Sequence, residues 1–227
     1  MEKDIVKKLQ EEAKNFITQN ILVLKNFKIK IYPKEIEVYY YNDDFKDKAV
    51  HRKPQQTMKY KDHFYVHRCK NSDSYKGGNR AGLDFVVSDD ENTYYSYLIR
   101  SAVINGQPFY GPNNVLNAIK SACGYVENAD LEKQLVDTVS SDVKYNDIIY
   151  TTRIGLSDNV DAYFRGCALR LVALDKDFKN ARYKAKEQIV LDYLKQSKST
   201  KIQAETFCKD NLTYLPSKII EYYDNKN

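Results

Sequence analysis

Tryptophan is absent from this sequence, and histidine, cysteine and proline are scarce. The four cysteines, Cys69, Cys123, Cys167 and Cys208, lie far apart and form no C-x-x-C pair. That spacing argues against zinc ribbons and thioredoxin-like redox motifs. Scattered thiols fit a reducing, intracellular setting: cytoplasm, nucleoid or nucleus. No stretch approaches the ~18 consecutive apolar residues of a membrane helix, so no membrane partner is expected. The amino-terminal MEKDIVKKLQEEAKNF is charged throughout and lacks the apolar centre of a signal peptide. Glycine-rich phosphate loops are missing; Ser74-Tyr75-Lys76-Gly77-Gly78 matches none. Neither a G-x-S-x-G nucleophile elbow nor an H-E-x-x-H zinc motif occurs.

What is present is charge and tyrosine. Hydrophobic residues make up 42% and charged residues 30% of 227, a globular composition long enough for one large domain without staples. The net charge of +5 is unevenly spread. Residues 1–80 carry 18 Lys/Arg against 11 Asp/Glu, residues 81–178 carry 8 against 14, and residues 179–227 carry 10 against 6. Two basic segments around an acidic middle suit a polyanion contacted on one side. Lysine-rich solubility alone would give the same pattern. Twenty tyrosines can stack on bases or fill half-buried sheets, and the count does not choose between them.

Apolar spacing predicts a helix over 3–20, through Ile5, Leu9, Ala13 and Phe16. Strands are read at 28–32 and 35–41, joined at Pro33, and again at 63–68, 82–88 and 92–103, the last two as a hairpin. Residues 42–56 and 71–80 read as polar loops. Pro112 and Gly124 bracket a helix, and a second helix is read over 129–140. Strands follow at 147–156 and 167–174, and the pattern is helical from about 179. The expected fold is α+β: a single domain with a mixed, mostly antiparallel curved sheet and flanking helices over 1–178. A basic helical extension over 179–227 packs on or beside it.

Within the 35–41 strand, alternation puts Glu35, Glu37, Tyr39 and Tyr41 on one face. Two carboxylates beside two aromatics make a sensible pocket wall, in which a carboxylate activates water and a ring stacks on a planar ligand. An edge strand with solvated glutamates would read the same way. Two of the three histidines, His51 and His67, lie close by in sequence, and a neutral imidazole can stack on a base or hydrogen-bond to it. They can equally be surface or satisfied core histidines. With Glu37 they have no standard metal-ligand spacing.

The order of these segments resembles the mammalian-type alkyladenine (3-methyladenine) DNA glycosylases. The family's E-T-E-A-Y strand, D-D loop and histidine are matched by Glu35-Ile36-Glu37-Val38-Tyr39, Asp43-Asp44 and His51. Its L-Y-V-Y strand resembles Phe64-Tyr65-Val66-His67, and its C-x-N strand resembles Gly82-Leu83-Asp84. Its L-[IL]-R-A strand resembles Leu98-Ile99-Arg100-Ser101, and G-P-x-K-L resembles Gly111-Pro112-Asn113-Asn114-Val115. R-[IV]-G-[IV] and P-L-R-F find counterparts in Arg153-Ile154-Gly155-Leu156 and Ala168-Leu169-Arg170-Leu171. The likeness covers roughly residues 15–175.

The resemblance implies hydrolysis of the N-glycosidic bond of a flipped-out alkylated or deaminated purine in double-stranded DNA, by a monomer, with no metal or organic cofactor. Glu37 would activate water; Tyr39, His51, His67, Asp84 and Arg100 would line the base pocket. Two departures stand out. The intercalating tyrosine of the family falls on Gly77, leaving Tyr75 as its stand-in. Aspartate replaces asparagine at Asp84, where a second negative charge near Glu37 would raise a carboxyl pKa and supply a proton for the leaving base. Lys46, Arg52, Lys53, Arg68, Lys70, Lys76 and Arg80 are the expected phosphate contacts. A catalytically degenerate nucleic-acid-binding protein of the same fold is the alternative, followed by a small-molecule binder or structural protein with a coincidentally similar strand order.

Overall fold

A computed structural model describes residues 2–69, 71–141 and 143–225. Helix α1 (Glu2–Gln19) leads into strands β1 (Asn20–Leu24), β2 (Ile29–Tyr41), β3 (Phe64–Val66), β4 (Leu83–Val86), β5 (Tyr94–Ile104) and β6 (Gln107–Tyr110). Helices α2 (Pro112–Ala122) and α3 (Asn128–Glu132) precede β7 (Asp137–Ser140) and β8 (Asp147–Thr151). Helix α4 (Ala162–Gly166), strand β9 (Arg170–Leu174) and helices α5 (Lys186–Gln196), α6 (Lys201–Asn211) and α7 (Ser217–Asp224) complete the chain. The fold is α+β, as the sequence implies, and every strand pairing among the described residues is antiparallel. Among those residues no helix is long and apolar enough to cross a membrane.

The two long strands organise the sheet. β2 pairs along one edge with β5, and along the other with β1 and then β9. The second edge of β5 is likewise shared by β4 and β6. The two expected strands therefore do not break at Pro33; Ile29–Tyr41 is one strand with an irregularity after that residue, and Lys28 lies in the turn before the strand. Register shifts occur between Pro33 and Glu35 and between Glu35 and Ile36, so Lys34 and, on β5, Arg100 are left without a direct partner. A bulge of one residue reverses which face the later side chains take. Ile29, Ile31, Ile36 and Val38 thus share the hydrophobic core despite the odd-to-even switch, together with Tyr97, Ile99, Ala102 and Ile104. Glu35, Glu37 and Tyr39 are turned to the opposite face.

Helix α1 covers the first face. Phe16 stacks on Phe85 at 5.6 Å and meets Tyr97 at 4.7 Å between ring centroids. The second face is covered at its β8–β9 end by the carboxy-terminal helices. Val172 stands opposite Glu35, and Ile149 opposite Val172, so both share the glutamate face. They join Phe178, Ile189, Val190, Leu194, Ile219 and Tyr223 in a second hydrophobic cluster. Phe178 is fully buried there, worth about 1.5–3 kcal/mol of transfer free energy. The basic extension therefore roofs the β8–β9 end of the glutamate face.

Strand β6 and helix α4 lie where no element is expected, and two further elements differ from expectation. The helix read over 129–140 ends at Glu132, and Asp137–Ser140 is a strand on the edge of β1. Val136, Thr138 and Val139 are β-branched, and pairing with β1 satisfies backbone groups that a solvated helix end would leave open. Strand β1 itself was not anticipated, because NILVL continues directly from α1 and a short apolar run does not distinguish helix from strand.

Candidate active site

Cross-strand pairing lays a polar row over the second face. Tyr65 pairs with Asp84, Asp84 with Leu98, Leu98 with Glu37, Glu37 with Arg170, and Arg170 with Thr151. Residues directly opposite one another share a face, so six side chains from five neighbouring pairs look the same way. The glutamates are not solvated: Glu35 is 2% and Glu37 0% exposed.

Buried carboxylates need partners, and here they have them. The amide of Ile154 donates to Glu37 Oε1 at 2.8 Å, and the Tyr39 hydroxyl donates to Oε2 at 3.0 Å. Arg100 Nη1 lies 3.2 Å from Glu37 Oε1, while its Nε donates to Glu35 Oε1 at 3.0 Å. Glu35 also accepts from Ser101 at 2.5 Å and from Arg170 Nε at 2.7 Å. Arg170 in turn donates to the Lys184 carbonyl, so the roof segment is tied to the carboxylates. Burial, then the Glu37 charge, push the Tyr39 phenol well up, which keeps its proton available to Glu37. Tyr39 is partly exposed, and Arg153 lies 5.0 Å from its ring centroid. Arg153 itself pairs with Asp47 at 2.6 Å, both fully buried.

The histidines form the other half. His67 Nε2 lies 2.6 Å from Asp84 Oδ1, and Asp84 Oδ2 accepts from Ser96 at 2.8 Å and Gln56 at 3.3 Å. Burial pushes the Asp84 carboxyl up, but the His67 charge and the hydrogen bonds from His67 and Ser96 outweigh it, and the net shift is downward. The expectation of a protonated Asp84 is therefore corrected: His67 stands at hydrogen-bond distance from it, whereas Glu37 lies two strands away. The His51 ring packs edge-on to His67 at 5.1 Å. His51 Nδ1 lies 3.0 Å from the Tyr65 hydroxyl, and Nε2 lies 2.8 Å from Lys76 Nζ. Burial and then the positive charges of His67 and Lys76 lower its pKa to about 4, so the ring is neutral near pH 7. Ser96 links the halves: it is the cross-strand partner of Tyr39 and a donor to Asp84.

Glu37, Tyr39 and Arg100 thus form one group, and His51, His67 and Asp84 another, on one face. Other expected residues go elsewhere. Tyr75 is no free wedge: its hydroxyl donates to Glu132 at 2.9 Å and accepts from Arg68 at 3.0 Å. Arg68 is buried and doubly bound to Glu132, so it is not a phosphate contact. Lys76 points inward to His51. Lys53 is held by Asp73 and the Ser72 carbonyl. Lys46, Arg52 and Arg80 are exposed, with Arg52 over the Tyr41 ring. Lys70 lies outside the described residues. The four cysteines are free. Sequence reasoning missed Asp47, Gln56 and Ser96, whose partners are 12 to 106 positions away and leave no local signal. Tyr65 was detectable, since it alternates with His67.

No family model matches the chain. A search of curated proteins finds the uncharacterized protein L759 of Acanthamoeba polyphaga mimivirus, 28% identical over 178 residues, 67% of this chain and 81% of that protein.

Proposed function

We propose that this protein hydrolyses the N-glycosidic bond of an extruded, alkylated or deaminated purine in DNA. The observation that carries the reading is the buried Glu37, held at both oxygens and grouped with Tyr39 and Arg100 opposite a histidine pair on one sheet face. In this reading Glu37 deprotonates a water that attacks the anomeric carbon as the bond to the base loosens. Tyr39 offers a stacking surface; stacking contributes ~1–3 kcal/mol per base. Neutral His51 and the paired His67 supply ring faces and hydrogen bonds on the other side. Asp84, with its pKa lowered, holds His67 and does not protonate the leaving base. An alkylated purine leaves as a neutral base without added protonation, so such lesions are the favoured substrates. Exposed Lys46, Arg52 and Arg80 would meet phosphates, which makes binding fall as salt rises.

The test is release of free base from duplexes that each carry one alkylated or deaminated purine, separated chromatographically after incubation. Release from at least one alkylated duplex is expected. Salt-sensitive binding with no release from any duplex would favour a binding protein that kept the fold without the chemistry. The engagement of Tyr75 by Glu132 and Arg68 is the feature that favours that second reading.

A further inference from the structure

Lys76 is a buried-facing amine with an unusual neighbour. Its backbone amide donates to the His67 carbonyl at 2.8 Å, which closes a loop and brings Lys76 beside the histidine pair. A bridge between Arg68 and Tyr75 closes the same loop. The side chain, half-buried, then reaches His51, with Nζ 2.8 Å from Nε2. Among the described residues Lys76 makes no ion pair. Its partner is a neutral ring instead of a carboxylate, so nothing at hydrogen-bond distance compensates an ammonium charge. When Lys76 is an ammonium, Nε2 accepts from it, which puts the His51 proton on Nδ1 and directs it to the Tyr65 oxygen. Burial is the main influence on the Lys76 pKa and lowers it; Cys69 and Asp84 oppose this and Arg80 adds to it.

A desolvated lysine beside a neutral acceptor is the usual arrangement of an amine nucleophile toward carbonyl carbon. Resting on the base-release reading for its choice of ligand, we infer that Lys76 forms an imine with the open-chain aldehyde of an abasic deoxyribose in DNA. The ammonium first gives up a proton to solvent by way of His51. The amine lone pair then adds to C1′, and the carbinolamine loses water to give the C1′=N bond. Loss of the C2′ proton to solvent turns the C–H pair into C2′=C3′, and the C3′–O pair leaves with the 3′ phosphate. Strand cleavage follows base loss without an oxidant or reductant. Tyr65 and His51 are positioning residues in this sequence, and Lys76 is the residue that touches the reacting carbon.

The experiment uses the full chain and a duplex with one abasic site prepared beforehand, so it does not depend on base release. Sodium borohydride reduces an imine to a stable amine, and the cross-linked species is resolved by gel and mapped by peptide mass spectrometry. Wild type is expected to give an adduct on Lys76 and to nick the strand when borohydride is omitted. Lys76→Arg keeps the positive charge and a donor toward His51 but cannot form the imine; it is expected to fall to the background of exposed lysines. Its folding is checked by circular dichroism, and Lys76→Met is the second variant if arginine does not fit. No wild-type adduct, or an adduct undiminished in a folded variant, overturns the inference. Adduct formation by a protein that releases no base would remove the base-release reading and leave this one standing.

Discussion

Glu37 and Asp84 stand on either side of the same residue. Each is the direct cross-strand partner of Leu98, Glu37 from β2 and Asp84 from β4. Two strand spacings put their backbones about 10 Å apart on one face. Each carboxylate has its own partner at hydrogen-bond or ion-pair distance, Arg100 for Glu37 and His67 for Asp84, so neither needs to share a proton with the other. Leu98 is buried between them and forms an apolar strip flanked by polar groups. Under the proposed function that strip is the floor on which a planar base lies.

Arg170 is a fully buried side chain and a partner of Glu35. Arg170→Met leaves Glu35 with Arg100 and Ser101 only, and also frees the Lys184 carbonyl. Removing one member of a buried pair costs about 3–5 kcal/mol. Guanidinium denaturation is expected to show a loss of that size. The double variant Arg170→Met with Glu35→Gln is expected to recover part of it, because the unpaired charge is gone. Equal stability of Arg170→Met and wild type would mean the pair contributes no net stabilisation.

Gly82 lies where three parts of the site meet. A Cβ there would sit 3.0 Å from Pro112 Cβ, 3.2 Å from the Leu98 methyl and 3.4 Å from His67 Cε1. Pro112 is a rigid ring at the start of α2, so Leu98 and His67 must move. Gly82→Ala is expected to cost about 1–3 kcal/mol by overpacking. Imidazole resonances of His67 are expected to shift in the same variant. An unshifted His67 would show that the neighbours yield without disturbing the histidine pair.

His51 sets a pH dependence of stability. Its pKa is lowered in the fold to about 4, from the ordinary 6.5. Below 6.5 the unfolded chain binds a proton that the folded chain does not, so stability falls as pH drops from 6.5 toward 4. The loss is on the order of 1–3 kcal/mol across that window. Urea midpoints measured through it are expected to decline, and His51→Gln is expected to flatten the decline. Parallel wild-type and variant curves would contradict the neutral, buried state of the ring.

How far the sequence alone reached depends on the range of the interaction. Glu37, Tyr39 and Arg100 were legible because strand alternation is local and the residues recur in a motif order. The one-residue irregularity at Lys34 was not, although it is what lets Ile31 and Ile36 share one face and leaves Glu35 and Glu37 on the other. A bulge has no compositional signature when the flanking residues all suit a strand. The charge count of the first 80 residues suggested a phosphate-binding surface, but Arg68 is bound by Glu132, which lies 64 positions away. Counting charges cannot reveal a partner set by tertiary packing. The helical tail was visible as helix, whereas its place over Val172 and Ile149 depends on the register of β8 and β9.

The most direct measurement is single-turnover base release from an alkylated duplex by wild type and by Glu37→Gln at equal enzyme excess. Gln keeps one acceptor oxygen, enough for Ile154, while its amide nitrogen toward Tyr39 can only donate, and it cannot take a proton from water. General bases typically contribute about 10²–10⁴-fold, and the variant is expected to lose release on that scale while still binding the duplex. Release at the wild-type rate by a folded Glu37→Gln would contradict the role assigned to this carboxylate.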